Sequence, residues 1–147
     1  MDPYSIAFGL RCFQSLVGIG AGCAKLAGLG KPDMDFDPFY GAGFTRALGA
    51  LNVTLGVLNH LPAAAPYAPW VQRGIALVFG GAVQQHAMEG HAAGKFAMPL
   101  LLVATTVAVP YLTTKGDVTA AGASVAAAAA GYVIGMLWAK PPAKKQA

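Results

Sequence analysis

Apolar residues in this chain fall into five long stretches that short polar connections separate. The stretches are Tyr4–Ala24, Phe39–His60, Pro69–Gln85, Phe96–Leu112 and Val118–Ala139. Each approaches the roughly 20 residues that a helix needs to cross about 30 Å of hydrocarbon. The alternation of polar and apolar residues that is typical of membrane strands is not visible in them. The pattern predicts an all-α fold, one domain over residues 1–147, built as an integral membrane bundle of four to five transmembrane helices. It leaves open whether the fifth stretch spans or lies at the periphery.

The composition supports a membrane location. Hydrophobic residues make up 56% of the chain and charged residues only 11%, whereas soluble domains carry about 25% charge. So few charges cannot cover the surface of a soluble domain of this size. We therefore expect a multi-pass protein in contact with lipids.

The basic residues predict an orientation. If all five stretches span, seven of the ten Lys and Arg fall on one side of the membrane: Lys25, Lys31, Arg46, Lys95, Lys140, Lys144 and Lys145. Positive charge accumulates on the cytoplasmic side, so the C-terminus is expected in the cytoplasm, or in the matrix or stroma of an organelle. A mitochondrial inner membrane or a thylakoid membrane would suit. The basic residues form no stripe with interleaved aromatics, which argues against a nucleic-acid partner.

Glycines at regular spacing predict close helix packing. Small residues four or seven apart let helix backbones approach each other in lipid. The residues concerned are Gly18, Gly22, Gly74, Gly81, Gly131 and Gly135. For the first three helices we expect these contacts to lie inside the bundle. For the alanine-rich fifth helix, docking against another subunit is an equal alternative.

Two arginines lie inside predicted helices on the same side of the membrane. Arg11 and Arg73 are one to two turns from a helix end. Charged groups at this depth either extend to the lipid phosphates or line a polar cavity. With Asn52 as a further polar contact, the second alternative is a pocket for a quinone or a lipid head group.

The end of the third stretch, "VQQHAMEGHAAGK" over residues 83–95, is unusually polar. His86 and Glu89 are three apart and share a helical face, whereas His86 and His91 are five apart and do not. One interpretation is the polar end of a membrane helix in the head-group zone. The other is that His60, His86 or His91 singly ligates a chlorophyll or a metal held mainly by neighbouring subunits. The chain alone predicts no metal site.

Motifs for catalysis are missing from the sequence. There is no Ser-His-Asp order, phosphate-binding loop, CxxC pair or dinucleotide fingerprint. We therefore expect no catalytic activity of its own and no intrinsic cofactor, with bound lipids and, at most, a quinone or chlorophyll.

Several short motifs over residues 5 to 112 resemble the DoxX-like family of small, mostly four-helix membrane proteins. They are Arg11, the pair Lys25–Leu26, "RALGALN" over Arg46–Asn52, Gly80 and Gly81 followed by His86, and "PLLL" from Pro99. The resemblance implies a membrane protein that works beside a partner carrying redox centres, in quinone-linked oxidation or in assembly. Asn52 stands where the family usually has Glu, and a neutral amide cannot carry a proton.

Together these features predict a non-catalytic accessory subunit of a larger energy-transducing membrane complex, respiratory or photosynthetic, with other membrane subunits as partners in electron transport. The alternative is a DoxX-like, quinone-interacting redox component that works with a partner oxidoreductase.

Overall fold

A computed structural model describes residues 2–29 and 40–139, with the backbone alone for Ala42. Throughout these ranges the regular structure is helical, so the expected all-α fold is confirmed. Within the described ranges, five α-helices follow one another: α1 Pro3–Leu26, α2 Ala42–Leu58, α3 Ala68–Met88, α4 Ala97–Thr113 and α5 Val118–Trp138. Short 3-10 helices, Pro62–Tyr67 and Ala93–Phe96, lead into α3 and α4. Four of the residues used for the orientation lie outside the described ranges: Lys31, Lys140, Lys144 and Lys145.

The helix ends follow local sequence signals. The Asp2 carboxylate accepts a hydrogen bond from the Ser5 backbone N–H (3.1 Å), and Pro3 occupies the first turn of α1. Asp117 caps α5 in the same way through the Thr119 backbone N–H, at 2.8 Å. Side-chain oxygens before a helix satisfy N–H groups that have no partner within the helix.

In the part of the chain that the structure describes, three helical segments are long and apolar enough to cross a membrane: Pro3–Leu26, Ala93–Thr113 and Val118–Trp138. The apolar part of α2 is shorter, over Gly43–Leu58. Gln72, Arg73, Gln84, Gln85 and His86 make α3 more polar than the other helices. The chain therefore has the helices of a possible multi-pass membrane protein.

Many large apolar side chains lie on the outside of the bundle and several amide side chains lie inside it, a distribution compatible with a membrane protein. Leu16, Val118 and Leu137 are more than 70% exposed, whereas Gln14 and Gln84 are 1% exposed. Soluble proteins rarely leave so many large apolar side chains outside a polar interior. A bundle surrounded by hydrocarbon accounts for both.

Contacts between named residues fix the helix directions. Ser15 of α1 meets Gly56 of α2, and Gly22 of α1 meets Gly49 of α2, so these helices are antiparallel. Gly80 and Gln84 of α3 meet Ala128 and Gly135 of α5, which makes α3 and α5 parallel. The polypeptide thus runs up and down, with the N-termini of α1, α3 and α5 at one end. We call that end the α1-start end and the opposite one the α1-finish end.

Two helix pairs pack through glycine. A Cβ at Gly22 would lie 2.6 Å from the Gly49 carbonyl oxygen, so α1 and α2 touch backbone to backbone. A Cβ at Gly131 would overlap the Leu77 carbonyl, and one at Gly80 would overlap Ala128. Gly131 therefore contacts α3 within the chain.

At the other predicted packing glycines, an added Cβ would not overlap the backbone of a neighbouring helix. A Cβ at Gly18 or Gly81 would meet a backbone oxygen at an ordinary 3.6 Å. A Cβ at Gly74 would lie 2.9 Å from the Leu55 side chain, and one at Gly135 would lie 2.6 Å from Oε1 of Gln84. The spacing rule thus found close-contact glycines but did not find Gly49 or Gly80.

Replacing Gly131 by Ala is expected to destabilise the bundle by about 1–3 kcal/mol, because the new methyl group must push α3 away. Gly122 on the same helix has open space around it, so Gly122→Ala is the matched control and should cause no loss. Unfolding by sodium dodecyl sulfate in mixed micelles measures both. Equal stability of the two variants would contradict the α3–α5 contact.

Candidate functional site

A cavity of about 290 Å³ lies between α1, α2, α3 and α4. Its walls are mostly apolar and include Val17, Val78, Phe79 and Leu102. The polar groups that line it are Lys25, Asn52, Gln85, His86 and Lys95. Ligand pockets combine apolar walls with a few placed polar groups in this way. The cavity is suited to an amphipathic molecule.

Alternating helix direction explains why these polar groups meet. Lys25 ends α1, Gln85 and His86 lie in the last turns of α3, and Lys95 precedes α4. All of these positions are at the α1-finish end of the bundle. Lys25 is 8% exposed and Asn52 is 6% exposed, so protein screens these two groups, whereas His86 is half-buried and Lys95 is exposed.

Gln85 leaves a hydrogen-bond acceptor in this region. Its side chain is 2% exposed, and its Nε2 donates to Oε1 of Glu89. Because the amide nitrogen must face the carboxylate, the Oε1 position is settled by the network. Among the residues that the structure describes, no donor reaches this oxygen. A buried acceptor without a partner costs free energy, which a ligand donor in the cavity would recover.

The histidines next to the cavity lie closer together than their spacing indicated. The Nδ1 atoms of His86 and His91 are 2.8 Å apart, and Nε2 of His91 is 3.0 Å from Oε2 of Glu89. The helical-face argument fails here because α3 ends at Met88. Gly90 then adopts a positive φ of 64°, and the chain turns back on itself. The sequence signal that could have predicted this turn is Gly90, because a Gly just beyond the end of a helix favours a positive φ and a change of chain direction.

His60 lies elsewhere. It follows α2 at the α1-start end, is exposed, and packs edge-on against Phe8 with ring centroids 5.8 Å apart. It therefore shares no site with His86 and His91.

The proposed pocket residues do not converge. Asn52 lines the cavity, but neither Arg11 nor Arg73 does. The Arg11 Nε donates to Oδ1 of Asn59 at 3.3 Å, and the Arg73 guanidinium lies 4.5 Å from the Trp70 ring centre. Both arginines lie towards the α1-start end, far along the bundle from Asn52. A pocket built jointly by these three residues is not what the structure shows.

Arg11 instead borders a buried polar network that the sequence analysis missed. Gln14 and Gln72 exchange two amide hydrogen bonds, at 3.0 and 3.1 Å. Gln14 also donates to Thr105 at 3.1 Å, and Gln72 donates to Asn59 at 2.9 Å. The network therefore joins α1, α3 and α4 to the residue that follows α2. The signal that could have found it is the presence of amide side chains within apolar stretches.

In the described residues, the fold and the cavity define an all-helical protein with apolar, membrane-length helices and a cavity that has polar groups at one end. No protein-family model, curated protein or solved structure matches this chain significantly. The DoxX-like resemblance thus stays a prediction from the motifs.

Proposed function

We propose that all five helices cross a membrane, with the α1-finish end in the cytoplasm, matrix or stroma. Alternation of helix direction supports this, because it collects Lys25, Arg46 and Lys95 at one end. The sequence adds Lys31 and the basic C-terminal tail to that end, and positive charge faces inward. The polar side chains of α3 do not oppose a crossing, since Gln72, Gln84 and Gln85 are buried within protein.

Cysteine labelling tests the orientation. Single cysteines at Thr114, in the α4–α5 turn, and at Gly94, before α4, would be placed in a background with Cys12→Ser and Cys23→Ser. In intact cells or mitochondria, an impermeant maleimide should label position 114 at once and position 94 only after permeabilisation. In isolated thylakoids, whose outer surface faces the stroma, it should label position 94 at once and position 114 only after permeabilisation. Labelling of both positions from one side would exclude α4 as a crossing.

The proposed function is that of a non-catalytic accessory subunit in a larger energy-transducing membrane complex. The observation that carries it is the outward face of α5. Gly122, Ala126 and Ala130 lie four apart there, and all are exposed, while Gly131 on the opposite face packs against α3. Small residues at this spacing admit another helix at close range. The buried Gln and Asn side chains hold the bundle together, which suits a structural role.

The test is extraction in mild detergent, sizing on a native gel and mass spectrometry of the co-migrating proteins. We expect migration with a large respiratory or photosynthetic assembly. Ala126→Leu should release the chain from it, because the added bulk separates the two helices. The matched control is Ala50→Leu, at an exposed alanine of α2, which should stay associated. A wild-type chain that migrates alone would refute the subunit function.

A second candidate, the DoxX-like quinone-interacting component, is favoured by the cavity. A quinone has two ring carbonyls, which need hydrogen-bond donors, and an apolar tail, which needs apolar walls. The cavity offers both. Asn52, Lys25 and Lys95 supply donors, and Val78, Phe79 and Leu102 supply walls. Electron transfer itself would need a partner that carries the redox centre.

Filling the cavity tests this candidate. Ala82→Phe places a ring in the cavity, whereas Ala87→Phe adds the same ring at an exposed position of α3. Quinone retained by the purified protein would be measured by mass spectrometry of organic extracts. We expect Ala82→Phe to weaken retention at least about tenfold, a difference of about 1.4 kcal/mol, and Ala87→Phe to leave it unchanged. Equal retention in both would place any quinone outside the cavity.

A further inference from the structure

The side chains that follow the C-terminus of α3 form a compact nitrogen and oxygen donor set. His86, Glu89 and His91 each offer one ligand atom, and these atoms lie within 4.8 Å of one another. We propose that His86 and His91 bind one divalent transition-metal ion between their Nδ1 atoms, with Glu89 orienting His91. This site does not depend on the proposed function.

The backbone brings the two imidazoles together, with ring centroids 5.0 Å apart and ring planes tilted by 50°. The His91 backbone N–H donates to the His86 carbonyl at 3.1 Å, and the Gly90 N–H donates to the Ala87 carbonyl at 3.2 Å. These bonds close the turn that the positive φ of Gly90 permits. Residues five apart, which diverge on a continuous helix, are thereby brought together. The donor pair is held by main-chain hydrogen bonds rather than by flexible side chains alone.

Glu89 sets the protonation of His91. Its carboxylate lies 3.0 Å from Nε2 of His91, so this nitrogen carries the proton and donates. In a neutral imidazole the other nitrogen, Nδ1, then has the free lone pair. Without an ion, the Nδ1–H of His86 donates to it across 2.8 Å. A metal ion would take the place of that proton, and His86 would then carry its proton on Nε2 as the other neutral tautomer. The carboxylate–histidine pair is the usual support for a metal-binding imidazole.

The separation of the nitrogens indicates the class of ion. Two nitrogens bound to one metal at about 2.0–2.1 Å and at right angles are about 2.9 Å apart, against about 3.3 Å in a tetrahedron. The 2.8 Å between these nitrogens is that of the hydrogen bond without an ion, so the right-angle geometry of Cu²⁺ or Ni²⁺ needs the smaller movement, and nitrogen ligands bind Cu²⁺ most tightly among these ions. Zn²⁺ would need the imidazoles to separate by about 0.5 Å. Water or a partner's ligand would occupy the remaining positions.

The surroundings of the histidine pair contain one feature that strengthens the binding of a cation and one that weakens it. The C-terminal end of α3 carries the negative pole of the helix dipole, which favours a cation. Lys25 and Lys95 line the cavity beside His86, and their charge opposes one. Side-chain exposures of 20% for His91 and 13% for Glu89 leave a path for an ion to enter.

The experiment is titration of the full-length protein in detergent, after removal of any polyhistidine tag and treatment with a chelator. Calorimetry with Cu²⁺, Ni²⁺ and Zn²⁺ should give one ion per chain, with Cu²⁺ the tightest. His91→Ala should weaken binding at least about 100-fold, and Glu89→Gln about 10- to 100-fold. His60→Ala is the matched control and should bind like the wild type.

Electron paramagnetic resonance of the Cu²⁺-loaded wild type makes the test independent of variant folding. Two imidazole nitrogens should appear in the coupling pattern. A wild type without stoichiometric binding, a spectrum without imidazole nitrogen, or an equal loss in His60→Ala would each overturn the proposal.

Discussion

The paired amides of Gln14 and Gln72 are the interaction on which the arrangement of helices depends. In a medium without water, an amide that lacks a partner costs several kcal/mol. Gln14 and Gln72 satisfy each other, and Asn59 and Thr105 take up their remaining groups. Each such bond contributes only about 0.6 kcal/mol on average within a membrane protein. Their joint effect is specificity, because sliding one helix along another would leave several amides unpaired. The network thus sets the register of α1, α3 and α4.

The register of the helices towards the α1-start end determines which side chains come together at the α1-finish end. Close glycine contacts tie α1 to α2 and α3 to α5, whereas α2 meets α3 through the Leu55 side chain against Gly74. The pair α1–α2 and the pair α3–α5 are each tightly packed, but the contact between the two pairs is less close. The cavity lies in the space that remains between them. The polar ends of α1 and α3 border this space because their length carries Lys25 and Gln85 to the same depth.

The cavity and the imidazole pair share the last turn of α3. Gln85 lines the cavity and also holds Glu89, which in turn holds His91. His86 belongs to both, as a wall of the cavity and as the partner of His91. An amphipathic molecule in the cavity and an ion between the histidines would therefore influence each other through three consecutive hydrogen-bonded side chains.

The sequence by itself determined the helices, because an apolar stretch of about 20 residues can satisfy its backbone in an apolar medium only as a helix. Asp residues also marked the starts of α1 and α5. The sequence also pointed to glycine packing and to polarity after α3. The tertiary structure alone decided which polar side chains meet. One of the two alternatives for Arg11 and Arg73 placed them in a pocket with Asn52, whereas in the structure Arg11 donates to Asn59 and Arg73 packs against Trp70. His86 and His91 were expected on different faces, but the turn at Gly90 ended the helical face between them. Periodicity describes one continuous helix, whereas these contacts depend on where a helix stops and which neighbour offers a partner.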